Sequence, residues 1–86
     1  MGPEKYKAYA VTRGTYVGEM LIWIETNDTT HHFISIPKNI NRSVPQDKFK
    51  FGIENEIIDV ADTIPANIYD ILHAQYYYNK KCKTPK

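Results

Sequence analysis

The three histidines of this chain are its best candidates for binding a metal ion, and its one cysteine is the candidate nucleophile. His31 and His32 are adjacent in a segment with strand character, and adjacent residues of a strand point to opposite faces of its sheet. One metal ion therefore cannot easily use both, and His73 is distant in sequence. Cys82 follows the last predicted helix, where no rigid structure would hold a thiolate beside a base. We expect no catalytic residue, no metal site and no cofactor, and hence a protein that is not an enzyme.

The segment Thr12–Gly18 carries two glycines spaced four residues apart, as some phosphate-binding loops do. It lacks the lysine of a P-loop, and the helix that would supply backbone N–H donors does not follow it. A glycine-tolerant turn with a bulge is the simpler interpretation. Arg13 is nevertheless a candidate contact residue, because an arginine beside a glycine at a hairpin tip is well placed to bind phosphates or carboxylates.

Cationic and aromatic side chains are mixed along the chain in a way that suits binding of single-stranded nucleic acid. Lysine and arginine neutralise phosphates, and flat rings stack on unpaired bases for about 1–3 kcal/mol per base. Tyr16, Trp23 and the triplet Tyr76–Tyr78 belong to this predicted surface, and Tyr77 is the best stacking candidate within the triplet. The predicted residues for binding nucleic acid or a partner are Arg13, Lys38, Arg42, Lys48, Lys50, Tyr77, Lys80 and Lys81. The alternative interpretation is that the rings fill a small core and the lysines only keep the protein soluble.

Length and composition restrict the class of protein. The 86 residues suit a single domain, 1–86, with flexible ends at 1–4 and 80–86. A net charge of +1 argues against an acidic DNA mimic and against a histone-like polycation. No apolar run approaches the roughly 18 residues of a membrane span, and the N-terminus lacks the apolar region of a signal peptide. The single cysteine cannot form an internal disulfide, so we expect a cytoplasmic protein without membrane association.

The first half of the chain has the alternation of strands. Residues 5–11 predict a first strand, and residues 15–25 predict a second one with apolar side chains on both faces, which is typical of a central strand. Residues 27–30 are Asn-Asp-Thr-Thr, which favours a hairpin turn into the strand at 32–36. Pro37 lacks the N–H that a sheet needs and predicts the end of that strand.

The second half predicts helices. Residues 38–46 are polar and predict a surface loop, and residues 47–51 alternate lysine with phenylalanine, which favours a short fourth strand, although Pro45 could instead open a helical turn. Residues 53–64 have helical periodicity, Pro65 starts a second helix and this helix ends at about Asn79. Its predicted apolar stripe consists of Ile68, Ile71, Leu72, Gln75 and Tyr78. The expected fold class is α+β, an N-terminal antiparallel meander of three to four strands packed by two C-terminal helices.

Residue usage also indicates a genomic background. Eleven isoleucines stand against two leucines and nine lysines against two arginines, which favours an AT-rich coding genome. In its size, in this usage and in the stretch Ile57-Ile58-Asp59-Val60 leading into Ile64-Pro65, the chain resembles small accessory proteins of T-even-like tailed phages. That resemblance implies a protein of the host cytoplasm that redirects or blocks host machinery by binding rather than by catalysis, with toxin ribonucleases and other defence factors among the targets.

Two hypotheses follow from the sequence. In the first, the protein is a non-enzymatic phage accessory protein that binds and inhibits a host defence factor, using an RNA-binding basic and aromatic surface. In the alternative, it is a homo-oligomeric structural or adaptor module. Dimerisation is relevant because a domain of this size buries only about two-thirds of the surface of its unfolded chain.

Overall fold

The fold is a five-stranded antiparallel sheet with one helix on each of its faces. A computed structural model describes residues 2–82 of the chain. Its elements are β1 (Lys7–Val11), β2 (Met20–Asn27), β3 (Thr30–Ile36), β4 (Ile40–Pro45), α1 (Gln46–Glu54), β5 (Ile58–Thr63) and α2 (Ala66–Cys82). The strand order is β4-β3-β2-β1-β5, so β1 to β4 form a meander and β5 returns to pair with β1. The predicted α+β class, with an antiparallel meander packed by helices, is confirmed.

The β2–β3 hairpin forms the centre of the sheet. Its turn lies at the predicted Asn-Asp-Thr-Thr segment, where Asp28 adopts a left-handed φ of 54° that Asp tolerates better than most residues. Ile22 lies opposite Ile34 on one face, and Leu21 lies opposite Ser35 on the other. All four side chains are buried, which confirms the prediction of a central strand with apolar contacts on both faces.

Each buried face is covered by one helix. On what we call the α2 face, Tyr69 and Tyr76 of α2 pack against the Ile22 and Ile34 side chains. On the opposite face, the α1 face, Phe49 of α1 stacks on Phe33 with ring centroids 5.6 Å apart. The protein therefore has three layers, with the sheet between two helices.

The segment 38–46 is a strand over most of its length, and its prediction as a surface loop was wrong. β4 lies at the edge of the sheet, where only one side of the backbone needs a partner strand, and Pro45 ends it there. Its polar side chains bond to neighbouring elements: Asn41 Nδ2 donates to the Tyr76 carbonyl oxygen at 3.0 Å, and Ser43 Oγ lies 2.9 Å from His32 Nδ1. Polarity here reflects cross-strand pairing and not a loop.

Residues 47–51 belong to helix α1, so the fourth strand predicted there was wrong and the alternative, a helical turn opened by Pro45, is confirmed. Pro45 is the N-cap residue, with φ −58° and ψ 149°, and Asp47 lies in the first turn, where a negative charge is favourable. Phe49 is buried, whereas Phe51 is exposed. The alternation of lysine and phenylalanine was misleading because only one of the two rings enters the core.

Residues 58–63 form strand β5, so the helix predicted over 53–64 was wrong. Asn55 caps α1, and Glu56 has a left-handed φ of 58° that turns the chain back toward β1. β5 is the second edge strand, and of its side chains only Ile58 is buried. Backbone pairing with β1 therefore determines its conformation, and the helical spacing of its apolar residues has no part in packing.

Helix α2 was predicted, but only part of its predicted apolar stripe is buried: Leu72 packs against the core of the α2 face. Tyr69 and Tyr76 face the sheet, whereas Ile68, Ile71 and Tyr78 of the predicted stripe are exposed. Tyr76, which was predicted to be exposed, is therefore a core residue. α2 also continues to Cys82, beyond its predicted end. Met1 and residues 83–86 lie outside the described residues, and the flexibility of the ends stays a prediction.

Gly52 of α1 packs directly against Ile58 of β5. A methyl group added at Gly52 would stand 2.6 Å from Ile58 Cδ1 and 2.9 Å from Ile58 Cγ1. We expect Gly52→Ala to lower the free energy of unfolding by about 1–2 kcal/mol, because overpacking outweighs the gain in helix propensity. Ile58→Val removes Cδ1, so Gly52→Ala should cost less in that background. Urea unfolding of wild type, the two single variants and the double variant measures this coupling. Additive changes in the free energy of unfolding would contradict the contact.

Candidate functional site

The eight residues predicted from the sequence to bind a partner do not form one surface. Five of them, Arg13, Lys38, Arg42, Lys48 and Lys50, lie around the α1 face or on α1 itself, and the other three, Tyr77, Lys80 and Lys81, lie on α2. The sheet separates the two groups. Each group is therefore a separate candidate site.

A groove on the α1 face lies between the β1–β2 loop and helix α1. We call it the loop–helix groove; its volume is about 440 Å³. Its lining includes the apolar side chains of Val11, Leu21, Val44, Ile57 and Ile58 and, at its rim, Arg13, Tyr16 and Lys48. Two of the predicted contact residues thus line one groove with an apolar floor.

Arg13 is held in place by the turn that follows α1. Its Nη2 donates to the Asn55 carbonyl oxygen at 2.6 Å, and the neighbouring Thr12 Oγ1 donates to the Glu56 carbonyl oxygen at 2.8 Å. The loop between β1 and β2 turns at Gly14, whose φ of 94° suits glycine and no other common residue. The guanidinium is exposed and fixed at one end of the groove.

A buried carboxylate organises the cations at the other end of this face. The Glu19 side chain is 4 % exposed. Arg42 binds it with two hydrogen bonds, from Nε to Oε1 at 3.0 Å and from Nη2 to Oε2 at 2.8 Å, and Ser35 Oγ donates to Oε1 at 2.6 Å. Lys38 Nζ lies 3.3 Å from Oε2. Lys38 and Arg42, both predicted contact residues, thus share one carboxylate.

The Glu19 cluster fixes an aromatic ring at the rim of the groove. The Arg42 guanidinium carbon lies 4.1 Å from the centre of the Tyr16 ring, close enough for a cation–π contact. Hydrogen bonds from Arg42, together with those from Ser35 and Lys38, lower the pKa of Glu19 from 4.5 to about 2 in spite of its burial. Glu19 is therefore a carboxylate at neutral pH, and its charge is offset by two cations.

The sequence analysis did not identify Glu19. It singled out Lys38 and Arg42 but not the acid that binds both. The available signal was its position, because Glu19 directly precedes a strand that is apolar on both faces. A carboxylate at such a place is buried only when cations accompany it.

The remaining predicted residue of this half, Lys50, does not contact the groove. It lies on the other flank of α1 and lines a separate depression with His31 and Asp47. His31 is buried there, and burial lowers its pKa. His31 Nδ1 lies 2.7 Å from Thr26 Oγ1, while His32 bonds to β4, so the two histidines point in different directions as predicted. Among residues 2–82, no three His, Cys, Asp or Glu side chains are grouped to hold a metal ion.

On the other side of the sheet, Glu25 organises the end of α2. Tyr77 Oη donates to Glu25 Oε1 at 2.6 Å, Tyr76 Oη donates to Oε2 at 3.2 Å and Lys80 Nζ lies 3.2 Å from Oε2. The hydrogen bond to Glu25 raises the pKa of Tyr77 to about 12. Tyr77 is partly exposed, but its hydroxyl group stabilises the fold, and Lys81 is exposed.

Trp23 was also predicted to be an exposed ring, and this was wrong. It is partly buried against the core of the α1 face, and its indole Nε1 donates to Thr26 Oγ1 at 2.9 Å. Tyr16 is therefore the aromatic side chain that the β2 half of the sheet offers to the groove. No helix within residues 2–82 has the length and apolar character needed to cross a bilayer.

The ion pair of Glu19 should make stability depend on pH. Because the folded-state pKa of about 2 lies below the ordinary 4.5, the stabilisation is present above about pH 4.5 and is lost as the pH falls toward 2. We expect Glu19→Gln to lower the free energy of unfolding at neutral pH by on the order of 3 kcal/mol. The difference from wild type should shrink toward zero near pH 2, measured by urea unfolding across this range.

Glu54 provides the matched control, since it is an exposed carboxylate of α1. Glu54→Gln should change the stability by less than about 0.5 kcal/mol. Parallel pH profiles of wild type and Glu19→Gln would show that the ion pair contributes no stability.

Comparisons of the chain with protein-family models, with curated proteins and with solved structures gave no match. The chemistry of the loop–helix groove is therefore the basis for assigning a function.

Proposed function

We propose that this protein is a non-enzymatic binding protein whose loop–helix groove takes an unpaired RNA base, with the adjoining phosphates held by Arg13 and Lys48. The observation that carries the proposal is the pairing of an apolar floor with these two cations at the rim. Affinity for single strands comes from this combination of a positively charged groove and surfaces that accept the flat faces of bases.

The charge of the α1 face favours an anionic ligand. Among the described residues, the ion pairs of this face involve Glu19, Lys38 and Arg42 only, and Glu19 balances one of the two cations. Arg13 and Lys48 lie outside that network. The residues that line the loop–helix groove include these two cations and no acidic side chain, so the groove is positively charged although the whole chain has a net charge of only +1.

The apolar floor favours a single strand over a duplex. In a duplex the bases are paired and stacked, and a protein meets sugars and phosphates first. An unpaired base can leave the strand and cover the half-buried side chains of Val44 and Ile57, while Tyr16 at the rim offers a ring for stacking. Phosphates alone would leave these two apolar side chains in contact with water.

The state of Glu19 supports a role in binding and not in proton transfer. A general base has to accept a proton near the working pH. Glu19 has a pKa of about 2 and its oxygens are engaged by Arg42, Ser35 and Lys38. It serves to position the cations and, through Arg42, the Tyr16 ring.

The resemblance to small accessory proteins of tailed phages extends the proposal to a biological target. A protein whose basic groove binds RNA, or binds an enzyme that acts on RNA, would block a toxin ribonuclease or a similar host defence factor without catalysis. The groove would then be the inhibitory surface, and the cytoplasm of the host the place of action.

The first test is binding of an eight-nucleotide single-stranded RNA. We expect the double variant Arg13→Ala/Lys48→Ala to bind about ten-fold more weakly than wild type, because two phosphate contacts are lost. For wild type, affinity should fall about ten-fold between 50 and 200 mM salt, as expected for two to three neutralised phosphates. Fluorescence anisotropy measures both effects.

The matched control is Lys80→Ala/Lys81→Ala, which removes the same charge from the opposite side of the sheet and should leave the affinity for the short RNA nearly unchanged. An equal loss in the control would mean that overall charge, and not the groove, determines binding. Affinity that does not depend on salt would contradict the proposal outright.

The second test concerns the host target. In bacterial cells with an inducible toxin ribonuclease, expression of the wild-type protein should preserve cellular RNA and growth. The Arg13→Ala/Lys48→Ala variant should protect less, because the inhibitory surface is weakened. Equal protection by both proteins would mean that the groove is not the inhibitory surface.

A further inference from the structure

The outward side of α2 carries an exposed apolar seam. Ile71 is 63 % exposed, Tyr78 is 61 % exposed and Ile68 is 41 % exposed. Ile71, Ala74 and Tyr78 follow one another at spacings of three and four residues and so lie on one side of the helix. The seam points away from the sheet, because Tyr69 and Tyr76 of the same helix face the core.

From this seam we infer that the protein forms a homodimer in which the α2 helices of two copies pack antiparallel. The distribution of charge along the helix identifies the occupant as a second copy. Asp70 is near the N-terminal end of the seam, and Lys81 is at its C-terminal end. Reversing the helix direction brings the acidic end of one copy beside the basic end of the other, whereas a parallel pair would place the lysines side by side.

The geometry of an antiparallel pair brings Asp70 and Lys81 to the same flank. On a helical wheel these two residues lie about 20° apart, from an advance of about 100° per residue. With the two-fold axis near Ala74 and Gln75, Asp70 of each copy lies within about one turn of Lys81 of the other. Ile71 then faces the Tyr78 of the second copy, and the small side chain of Ala74 permits a close approach of the helices.

The contact would be reversible. One helix of 17 residues is about 25 Å long, and a single pair of helices buries less area than the roughly 800 Å² per partner of a standard interface. Association should therefore depend on protein concentration. The inference does not rest on the proposed function, because the loop–helix groove lies on the other side of the sheet and stays open in this dimer.

Sedimentation equilibrium over a range of concentrations tests the inference. The average mass of wild type should rise from the 10.0 kDa of the monomer toward twice that value. Ile71→Lys should remain monomeric throughout, with an unchanged circular dichroism spectrum because the side chain is exposed. Val60→Lys is the matched control: Val60 is 59 % exposed on the edge strand β5, and this variant should associate like wild type.

A charge exchange tests the antiparallel direction. Asp70→Lys should weaken association about five-fold, because residue 70 of each copy then places a second positive charge beside Lys81 of the other copy. Asp70→Lys/Lys81→Asp should restore most of the affinity, since opposite charges meet again in an antiparallel dimer.

Three outcomes would overturn the inference. These are a wild type that is monomeric at all concentrations, a dimer that Val60→Lys disrupts and Ile71→Lys does not, and a double variant that stays as weak as Asp70→Lys. The eight-nucleotide RNA should bind Ile71→Lys as well as wild type, so failure of the dimer and failure of the groove are separate results.

Discussion

The burial of the β2–β3 hairpin on both faces is the constraint from which the rest of the structure follows. Ile22 and Ile34 need cover on one side, and Leu21 and Phe33 need it on the other. A chain of 86 residues has little length for this task. Helix α2 has 17 residues, but helix α1 has only nine. Because α1 is short, it covers only part of the α1 face. The β1–β2 loop and the Glu19 cluster complete this face, and the groove lies where loop and helix meet.

The Glu19 cluster covers part of the α1 face that α1 leaves open, and its hydrogen bonds offset the free energy of burying a carboxylate. A lone carboxylate at a buried strand end would be strongly destabilising, but two hydrogen bonds from Arg42 and one from Ser35 replace its lost hydration. The same arginine lies over the Tyr16 ring. The Glu19 network thus links the β1–β2 loop with β3 and β4, and Lys38 at its edge stays exposed to solvent.

The sequence predicted those parts of the fold that depend on local signals and failed where tertiary pairing decided. The two-faced pattern of residues 15–25 and the turn at Asp28 identified the central hairpin, although residues 15–19 belong to the β1–β2 loop and the strand begins at Met20. Residues 58–63 have helical spacing and still form an edge strand, because β1 offers unpaired backbone groups that only an extended segment can satisfy. For the candidate site, the sequence singled out Arg13 for its place beside a glycine and Lys48 for its charge, and both line the loop–helix groove. Glu19 was not predicted, because the residues that stabilise its buried carboxylate are distant in sequence.

The orientation of α2 explains why the protein has an apolar seam on its outside. Tyrosine supplies a large apolar ring together with a hydroxyl group that needs a partner. Tyr76 and Tyr77 meet this need at Glu25, and Tyr69 Oη donates to the Trp23 carbonyl oxygen at 3.3 Å. Turning Ile68 and Ile71 inward instead would have left those hydroxyl groups without the strand partners they use. The helix thus buries Tyr69 and Tyr76 and leaves Ile68 and Ile71 exposed. The sheet lies between this seam and the loop–helix groove, so the two surfaces are on opposite sides of the protein.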